Sequence, residues 1–387
     1  MTKLYDNLIK LRNEDEKTFY FKDFVTSMHT NVRIFNYRFA SYSDWIKPDA
    51  LEARGIMFNQ DTKEIMCRPM EKFFNVNENP LSTIEALGPI DKVYEKLDGS
   101  LISSFMDEGY LFFKSKTSLY SEQAEQASIL LNSYYEYQDL KEAIIMLERD
   151  GFTVNLEYTA PSNQVVILYD KPKLTVLNAR HRETGVYLPY SDLFAIPGIR
   201  GNEGLAEAYM PPENNDPKGI EEYIKSIKKE ENTEGVILLH SNGTMSKVKT
   251  DWYLTLHRAK DSLNSDKQLI HAIVEEVEDD LYPLISTNIA LKEKLDAYKE
   301  HISQIVYNYY IDVVDFYKSN IGLTRKDYAI KAQTLMPPEM MNPCMKMYQT
   351  NDENLILELV KQHVKKYAET YTLEKYKNIQ YIDNSDN

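Results

Sequence analysis

The spacing of apolar residues changes near residue 254, and this change limits the folds that the chain can adopt. Before that point, short segments such as RIFNYRFASY (33–42) and TVNLEYTA (153–160) alternate apolar and polar residues, which is typical of strands. After it, segments such as DKQLIHAIVEEVEDDLYPLI (266–285) carry apolar residues at helical spacing. We therefore expect an α+β domain over residues 1–253, followed by an all-helical domain over residues 254–387.

Composition narrows the classes of function. The 387 residues carry a formal net charge of −15, which argues against a protein that coats nucleic acid through bulk charge but allows a local basic groove. Cys67 and Cys344 lie far apart and fit no metal spacing, so we expect reduced thiols. The sequence has no run of about 18 apolar residues and no signal-peptide core. We expect a soluble intracellular protein without a membrane partner.

Local patterns predict several elements. The opening residues 4–11 read as a short helix, and Ser121 is placed to cap a second helix. Residues 91–119 read as a meander of three strands joined by the turns DGS and DEG. The apolar run QVVILYD (164–170) predicts a further strand.

Lysines recur at a spacing of two on the predicted strands. Side chains two apart on a strand share a face, so we expect Lys247 and Lys249 to lie side by side, and likewise Lys114 and Lys116. Parallel ammonium groups repel one another unless an anion lies between them. An ordinary solvated strand face would explain one pair. Lys96 lies at a strand end before an Asp-Gly turn. With two such pairs beside it, a polyphosphate site and a solvated strand face explain the pattern about equally well.

Two carboxylates could complete such a site. Glu157 faces away from the apolar residues Val154 and Leu156 of its strand. It could bind a ribose hydroxyl or a hydrated metal, or it could be an exposed strand residue. Glu234 precedes a buried-looking strand, and Gly235 would allow close backbone approach. A carboxylate there could bind Mg²⁺ or could be a plain turn residue.

Lys96 is the candidate nucleophile. A free lysine has a pKa of about 10.4, so little of it is uncharged at neutral pH. Nearby lysines, Mg²⁺ and partial burial would each lower this pKa. The sequence contains neither a Walker A motif nor a kinase Gly-rich loop. The sequence thus supplies a candidate nucleophile, cations for phosphates and a carboxylate for a metal.

Four motifs in order resemble those of the covalent nucleotidyltransferases, which include ATP-dependent nucleic-acid ligases and mRNA capping enzymes. They are EKLDGS (95–100), NLEY (155–158), EGVIL (234–238) and KVK (247–249). The stretches RIFNYRFASYSDWIKPDALEARGIMF, RPMEKFFNVNENP, FFKSKTSLYSEQA and SKVKTDWYLTLH are similar to the bacteriophage RNA ligase 1 family. The resemblance extends over nearly the whole chain.

The resemblance implies a fold and a set of roles. The fold would be an antiparallel-sheet, ATP-grasp-like nucleotidyltransferase domain followed by a helical domain that selects the substrate. Lys96 would form lysyl-AMP, Glu157 would hold the ribose or orient the complex, and Glu234 would serve the metal. The other implied ATP-site residues are Tyr37, Arg54, Lys72, Phe74, Lys116, Lys247, Lys249 and Tyr253.

The acidic run EEVEDD (275–280) would usually be a solvated helix face. The resemblance suggests instead that Asp279 and Asp280 form a further Mg²⁺ site, since adjacent carboxylates can share a hydrated hard cation.

The implied function is an ATP-dependent RNA ligase that joins RNA 5′-phosphate and 3′-hydroxyl ends through lysyl-AMP and adenylated RNA. Its cofactors would be ATP and Mg²⁺, with Mn²⁺ as a substitute. The resemblance points to a monomer that repairs tRNA nicked in the anticodon loop, in the cytoplasm of an infected bacterial host. The alternatives are a GTP-dependent capping-type guanylyltransferase and a non-catalytic RNA-binding protein. A DNA ligase is disfavoured, because nothing after KVK resembles an OB-fold.

Overall fold

The computed structural model describes residues 2–200, 204–276, 278–282, 285 and 288–377. Two compact units divide the chain, one that runs to Leu254 and one that begins at Thr255. The division falls inside the helix Asp251–Ser262. It stays a prediction that the first part is the nucleotidyltransferase domain and that the helical part selects the substrate.

The first unit contains thirteen strands in the part of the chain that is described. They are β1 (Phe19–Val25), β2 (Asn31–Tyr37), β3 (Ile56–Asn59), β4 (Ile65–Cys67), β5 (Phe74–Asn75), β6 (Ile90–Glu95), β7 (Ser100–Asp107), β8 (Tyr110–Ser115), β9 (Phe152–Thr159), β10 (Lys173–His181), β11 (Ala208–Tyr209), β12 (Gly235–His240) and β13 (Met245–Lys249).

The strands form three sheets. Their orders are β1-β2-β3-β4, β10-β9-β7-β8 and β11-β6-β12-β13-β5. Every pairing is antiparallel except the short one between β13 and β5. The expected α+β fold with antiparallel sheets is thus confirmed.

Helices surround these sheets. They are α1 (Thr2–Glu14), α2 (Tyr42–Trp45), α3 (Ile84–Leu87), α4 (Glu122–Ser133), α5 (Gln138–Arg149), α6 (Tyr190–Ala195), α7 (Pro197–Arg200), α8 (Pro217–Lys228) and α9 (Asp251–Ser262). The predicted first helix is confirmed and is longer than expected. Ser121 caps α4 as predicted, because its side chain accepts a hydrogen bond from the Ala124 amide.

The five-stranded sheet positions the site because its two faces differ. One face is apolar and packs on α8, whose residues Ile220, Ile224 and Ile227 recur at helical spacing. Val248 of β13 belongs to this buried face. The residues that alternate with it, including Lys247, are only half-buried. Long polar side chains on β13 therefore extend into the opposite space.

Two local predictions are wrong. The expected three-strand meander is divided between sheets, because β6 pairs with β11 and β12 whereas β7 pairs with β8 and β9. The chain changes sheet at Gly99, where a side chain would meet the Tyr158 carbonyl oxygen at 2.4 Å. The run QVVILYD is not a strand. Its amides at Val166 and Ile167 donate instead to the carboxylate of Asp98.

The second unit is helical where it is described, as the sequence predicts. Its α-helices are α10 (Asp266–Val274), α11 (Ile289–Lys318), α12 (Arg325–Leu335), α13 (Met341–Thr350) and α14 (Glu353–Lys366). Asp279 and Asp280 fall in the 3-10 helix Glu278–Leu281, but their side chains lie outside the described part. Among the described helices, none combines the length and apolar character needed to cross a bilayer.

Candidate active site

Lys96 lies at the end of β6 and is held against β12. Its backbone amide donates to the carbonyl of Gly235 at 3.0 Å. Its side-chain amine lies 2.8 Å from the Glu234 carboxylate, with 21% of the side chain exposed. Gly235 has a φ of 138°, and a side chain there would meet the Val248 carbonyl oxygen at 2.0 Å. Only glycine therefore fits between the two strands beside Glu234.

The Glu234 carboxylate is buried and binds two lysines. One oxygen contacts Lys96, and the other lies 2.9 Å from the amine of Lys249. Only 4% of the Glu234 side chain is exposed. A buried carboxylate needs such partners, since an unpaired charge in this position would be costly.

The pKa of Lys96 moves against expectation. Burial lowers the pKa of this amine, but the ion pair with Glu234 and the field of Glu157 outweigh burial and raise it above its ordinary value. The sequence prediction that the pKa of Lys96 is lowered is therefore wrong. The physical reason is that the negative charge of Glu234, a residue expected to serve a metal, stabilises the charged form of Lys96.

Lys247 and Lys249 share the half-buried face of β13, as predicted from strand alternation. They lie opposite Ile237 and Gly235 of β12. Burial lowers the pKa of Lys247 to about 7, helped by the neighbouring cations, which are Lys72, Lys96, Lys249 and Arg54. So many cations around one buried amine match the charge of a polyphosphate chain.

Three aromatic rings lie close to the amine of Lys72. Its amine is 4.9 Å from the ring centre of Phe74 and 5.8 Å from those of Tyr37 and Trp45. Burial lowers the pKa of Lys72, with contributions from Arg54 and Lys116. Burial thus disfavours the charged amine, whereas the nearby ring faces stabilise it.

Arg54 is close to the same cluster. Its guanidinium donates to the Met70 carbonyl at 3.1 Å and lies 5.8 Å from the ring centre of Phe73. Phe74 packs in the core with Trp45, their ring centres 5.8 Å apart, so it belongs to the core as well as to the rings close to Lys72.

The second predicted lysine pair is wrong. Lys114 is fully buried, and its amine donates to the carbonyls of Gly55 at 2.8 Å and Ser115 at 2.9 Å. Strand β8 ends at Ser115, so Lys116 lies beyond it and does not continue its alternation. Lys114 is therefore a structural cation, whereas Lys116 is half-buried and acts on the pKa of Lys72.

Glu157 lies on β9, half-buried, and accepts a hydrogen bond from the Gly99 amide at 3.0 Å. Asn155 and Thr159, which share its face of the strand, are buried too. Burial raises the pKa of Glu157 to about 8, with Glu234 and Asp98 adding to the shift while Lys96 opposes it. The carboxyl thus belongs to the surroundings of Lys96 and is not an ordinary exposed strand residue.

Asp98 is a site residue that our sequence reasoning did not single out. Its carboxylate accepts from the amides of Val166 and Ile167 and from the hydroxyl of Tyr253, the last at 2.8 Å. Its own amide donates to the Tyr169 hydroxyl at 3.0 Å. These bonds fix the turn that follows Lys96. The Asp-Gly dipeptide was the available signal, since it marks a tight turn.

A divalent metal has few protein ligands here. Among the described residues, no three His, Cys, Asp or Glu side chains group together as a metal site. Glu234 offers a buried carboxylate in direct contact with two of the lysines. This donor set fits Mg²⁺ carried by substrate phosphates, because Mg²⁺ commonly takes only one or two protein carboxylates in such complexes. The proposed Asp279 and Asp280 site lies outside the described side chains.

Known proteins resemble the chain in both parts. The family model described as RNA ligase matches residues 52–254, and the one described as T4 RNA ligase 1, C-terminal domain, matches residues 260–376. A Thermovibrio ammonificans protein named "Putative RNA ligase" is 28% identical over 67% of this chain and 67% of its own length. RNA ligase 1 of bacteriophage TS2126 is 25% identical over 84% of this chain and 83% of its own.

Solved structures also resemble it. An archaeal ATP-dependent RNA ligase, form 1, aligns over 76% of this chain and 75% of its own, at 14% identity and a TM-score of 0.45. The first family model spans more than half of the chain. The residues that it matches include Lys96, Glu234 and Lys249, whose contacts are described above. The chain therefore belongs to the RNA ligase family.

Proposed function

We propose that Lys96 is the nucleophile and that it carries AMP as a covalent intermediate. The observation that supports this is the position of its amine, 2.8 Å from Glu234 at the end of β6. Lys249 shares the same carboxylate. The pKa of nearby Lys247 is lowered to about 7 by burial and by neighbouring cations. A nucleophile beside an anion-binding cluster is the arrangement that attack on a phosphorus atom requires.

Lys96 must first lose a proton. Glu234 holds the amine in its charged form. If Glu234 bound a divalent cation instead, Lys96 would lose this partner. The pKa of Lys96 would then fall, because the Glu234 carboxylate is the largest influence that raises it, ahead of Glu157 and Asp98, and burial would continue to lower it. Mg²⁺, when bound, neutralises charge on the phosphate oxygens.

The reaction follows in three transfers. The neutral amine of Lys96 attacks the α-phosphorus of ATP, so that an N–P bond forms, the bond to the β-phosphate oxygen breaks, and pyrophosphate and a proton leave. An oxygen of the RNA 5′-phosphate next attacks the same phosphorus, and lysine leaves. An RNA 3′-hydroxyl then attacks the RNA phosphorus, and AMP leaves. The protein mainly places reactants and neutralises charge.

The surrounding residues divide this work. Lys247 and Lys249 grip the α-phosphate from the face of β13, and Lys72 and Arg54 bind the remaining phosphates, with Lys116 in support. Tyr37 and Phe74 form walls of the nucleotide site beside Lys72. Glu157 orients the ribose, and Tyr253 fixes the turn after Lys96 through Asp98. Asp279 and Asp280 bind a further Mg²⁺.

The natural substrate that we propose is tRNA cleaved in its anticodon loop, with a 5′-phosphate and a 3′-hydroxyl at the break. The match of residues 260–376 to the T4 RNA ligase 1 C-terminal domain supports a substrate-selecting role for the helical part. Unpaired bases of the broken loop would stack on tyrosine and arginine. We propose that the enzyme acts as a monomer in the cytoplasm of an infected bacterium.

The decisive experiment is mass spectrometry of the purified protein after incubation with ATP and Mg²⁺. We expect an adenylate increment on the peptide that contains Lys96, none in Lys96→Ala, and an unchanged increment in Lys92→Ala, which alters an exposed lysine of the same strand. Labelling by GTP instead of ATP would favour the capping-type alternative. No labelling by either nucleotide would favour the RNA-binding alternative.

Substrate preference needs a separate measurement. Joining of a nicked anticodon stem-loop is compared with joining of linear single-stranded RNA and of a nicked DNA duplex. We expect the stem-loop to be joined fastest. Equal joining of the DNA duplex would contradict the substrate proposal and leave the lysine chemistry standing.

A further inference from the structure

A buried ionic cluster involves residues that are close in the chain to Arg54 and Lys72. We define it by Glu52, Arg68, Glu71 and Arg180. One oxygen of Glu52 accepts from Arg68 at 2.7 Å and from Arg180 at 2.8 Å. The other accepts from Arg180 at 2.9 Å and from Arg68 at 3.3 Å. Glu52 and Arg68 are each 8% exposed, and Arg180 is 2% exposed, so both arginines converge on one carboxylate away from water.

Arg180 also holds the segment that leads to Lys72. From its position on β10, its guanidinium donates to the carbonyl of Pro69 at 2.9 Å and to the carboxylate of Glu71 at 3.1 Å. Lys72 follows Glu71 directly in the chain. Arg180 therefore holds the segment before Lys72 through one backbone carbonyl and one side-chain carboxylate.

Glu52 holds the segment that leads to Arg54. It ends the 3-10 helix Ala50–Glu52, two residues before Arg54. The two segments are joined to each other as well, because the Lys72 amide donates to the Leu51 carbonyl at 2.8 Å and the Arg54 side chain donates to the Met70 carbonyl. The ionic cluster thus ties both cation-bearing segments to β10.

Stability alone is a poor reason for such a cluster. Burying ion pairs costs desolvation, and apolar replacements of similar volume often serve stability as well or better. What a rigid bidentate pair supplies is position, since Arg holds a carboxylate in a fixed plane. The groups whose position depends on it are the side chains of Arg54 and Lys72, which act on the cation cluster around Lys247.

We propose that Glu52 and Arg180 are positioning residues for nucleotide binding. They set the places of Arg54 and Lys72 without touching the nucleotide themselves. This inference rests on the proposed ATP site, and it adds to that site Glu52, from the 3-10 helix Ala50–Glu52, and Arg180, from β10.

The sign of the expected effect distinguishes position from charge. Glu52→Gln removes a negative charge near a site for a polyanion, so charge alone would lower the KM for ATP. Loss of position would raise it, because a displacement of an ångström in a binding group can cost up to about 100-fold. A raised KM is therefore explained by position and opposed by simple electrostatics.

The experiment compares Glu52→Gln with a matched control, Glu148→Gln. Glu148 is also a buried carboxylate in an arginine pair, 2.5 Å from Arg182, and it accepts a hydrogen bond from Ser104. We expect the Glu52 variant to raise the KM for ATP in lysyl-AMP formation about 10-fold or more, with a smaller change in kcat. The Glu148 variant lowers Tm in the same way and leaves KM unchanged.

Glu71→Gln keeps the test open where Glu52→Gln does not fold. The Glu71 side chain is 30% exposed and has a single ionic contact in the cluster, so its replacement is mild. We expect its KM for ATP to rise about threefold. An unchanged or lowered KM in the folded variants, or an equal rise in the Glu148 control, overturns the inference. Failure of the wild-type protein to form lysyl-AMP overturns the proposed function instead.

Discussion

The Lys96 amine and the Glu234 carboxylate form a buried ion pair 2.8 Å long, and the second oxygen of Glu234 binds Lys249 at 2.9 Å. One carboxylate therefore balances the charges of both the proposed nucleophile and a proposed phosphate ligand. The pair favours the protonated form of Lys96.

Removing this carboxylate is expected to make Lys96 more reactive towards a simple amine reagent. In Glu234→Gln, burial and the neighbouring lysines act on Lys96 without the ion pair that raises its pKa. We expect acylation of Lys96 at pH 8, followed by peptide mass spectrometry, to be about tenfold faster, which corresponds to about one pKa unit. AMP transfer from ATP is expected to become slower, because Glu234 no longer assists the metal.

Glu148→Gln is the control for that measurement, since it alters a buried carboxylate paired with Arg182. Lys96 acylation should match the wild type in this variant. Equal acylation rates in the wild type and Glu234→Gln would show that the ion pair does not govern the reactivity of Lys96.

Lys247→Met is expected to stabilise the folded protein and to weaken ATP binding. Burial and nearby cations lower the pKa of Lys247 to about 7 in the folded protein, against about 10.4 when unfolded. Between these values the unfolded chain binds the extra proton, so wild-type stability rises with pH in that window. The variant should show a flatter profile, be about 1 kcal/mol more stable at pH 7, and have a KM for ATP raised about tenfold.

Urea unfolding at pH 7 and pH 9 checks the stability, and Lys228→Met, which alters an exposed residue of α8, is the control. A variant no more stable than the wild type at pH 7 would contradict the lowered pKa of Lys247.

Glu157 is expected to make the wild type less stable as pH rises. Burial raises its pKa from 4.5 to about 8, so the folded protein keeps a proton that the unfolded chain has lost. The resulting stabilisation is complete below pH 4.5 and disappears as pH increases through 8. Glu157→Gln should unfold like the wild type at pH 5 and be about 1 kcal/mol more stable at pH 9. Identical pH profiles in urea unfolding would contradict the assigned burial.

Tyr253→Phe is expected to loosen the turn after Lys96. The hydroxyl donates to the Asp98 carboxylate at 2.8 Å, and its loss should cost about 1 kcal/mol of unfolding free energy. Lysyl-AMP formation should slow several-fold at saturating ATP. Tyr209→Phe is the control, because Tyr209 is exposed and donates to Glu207. Wild-type rates in Tyr253→Phe would remove the turn from the mechanism.

The parts of the site that strand periodicity controls could be predicted from the sequence. Lys247 and Lys249 share a face because alternation is a local property of β13. Lys114 could not be placed in this way, since its partner is the Gly55 carbonyl, 59 positions away in the chain. The sign of the Lys96 pKa shift likewise depends on a long-range contact with Glu234.

The fold shows the same division. Capped helices such as α4 were predictable, because capping is local. The apolar run at 164–170 satisfied every local criterion for a strand, yet its amides are used by Asp98. The change of sheet at Gly99 depends on close packing against the Tyr158 carbonyl. Neither relationship leaves a periodic signal.

Gly235 sets a limit on engineering of this enzyme. A single methyl group at that position would collide with the neighbouring strand 2.0 Å away, and the strands it would force apart carry Glu234 and Lys249. In a library that randomises residues 234–238 to broaden nucleotide choice, any other amino acid at position 235 would disrupt the contacts of Glu234 with Lys96 and Lys249. Diversity is better sought at Ile237, whose side chain is half-buried on the same strand.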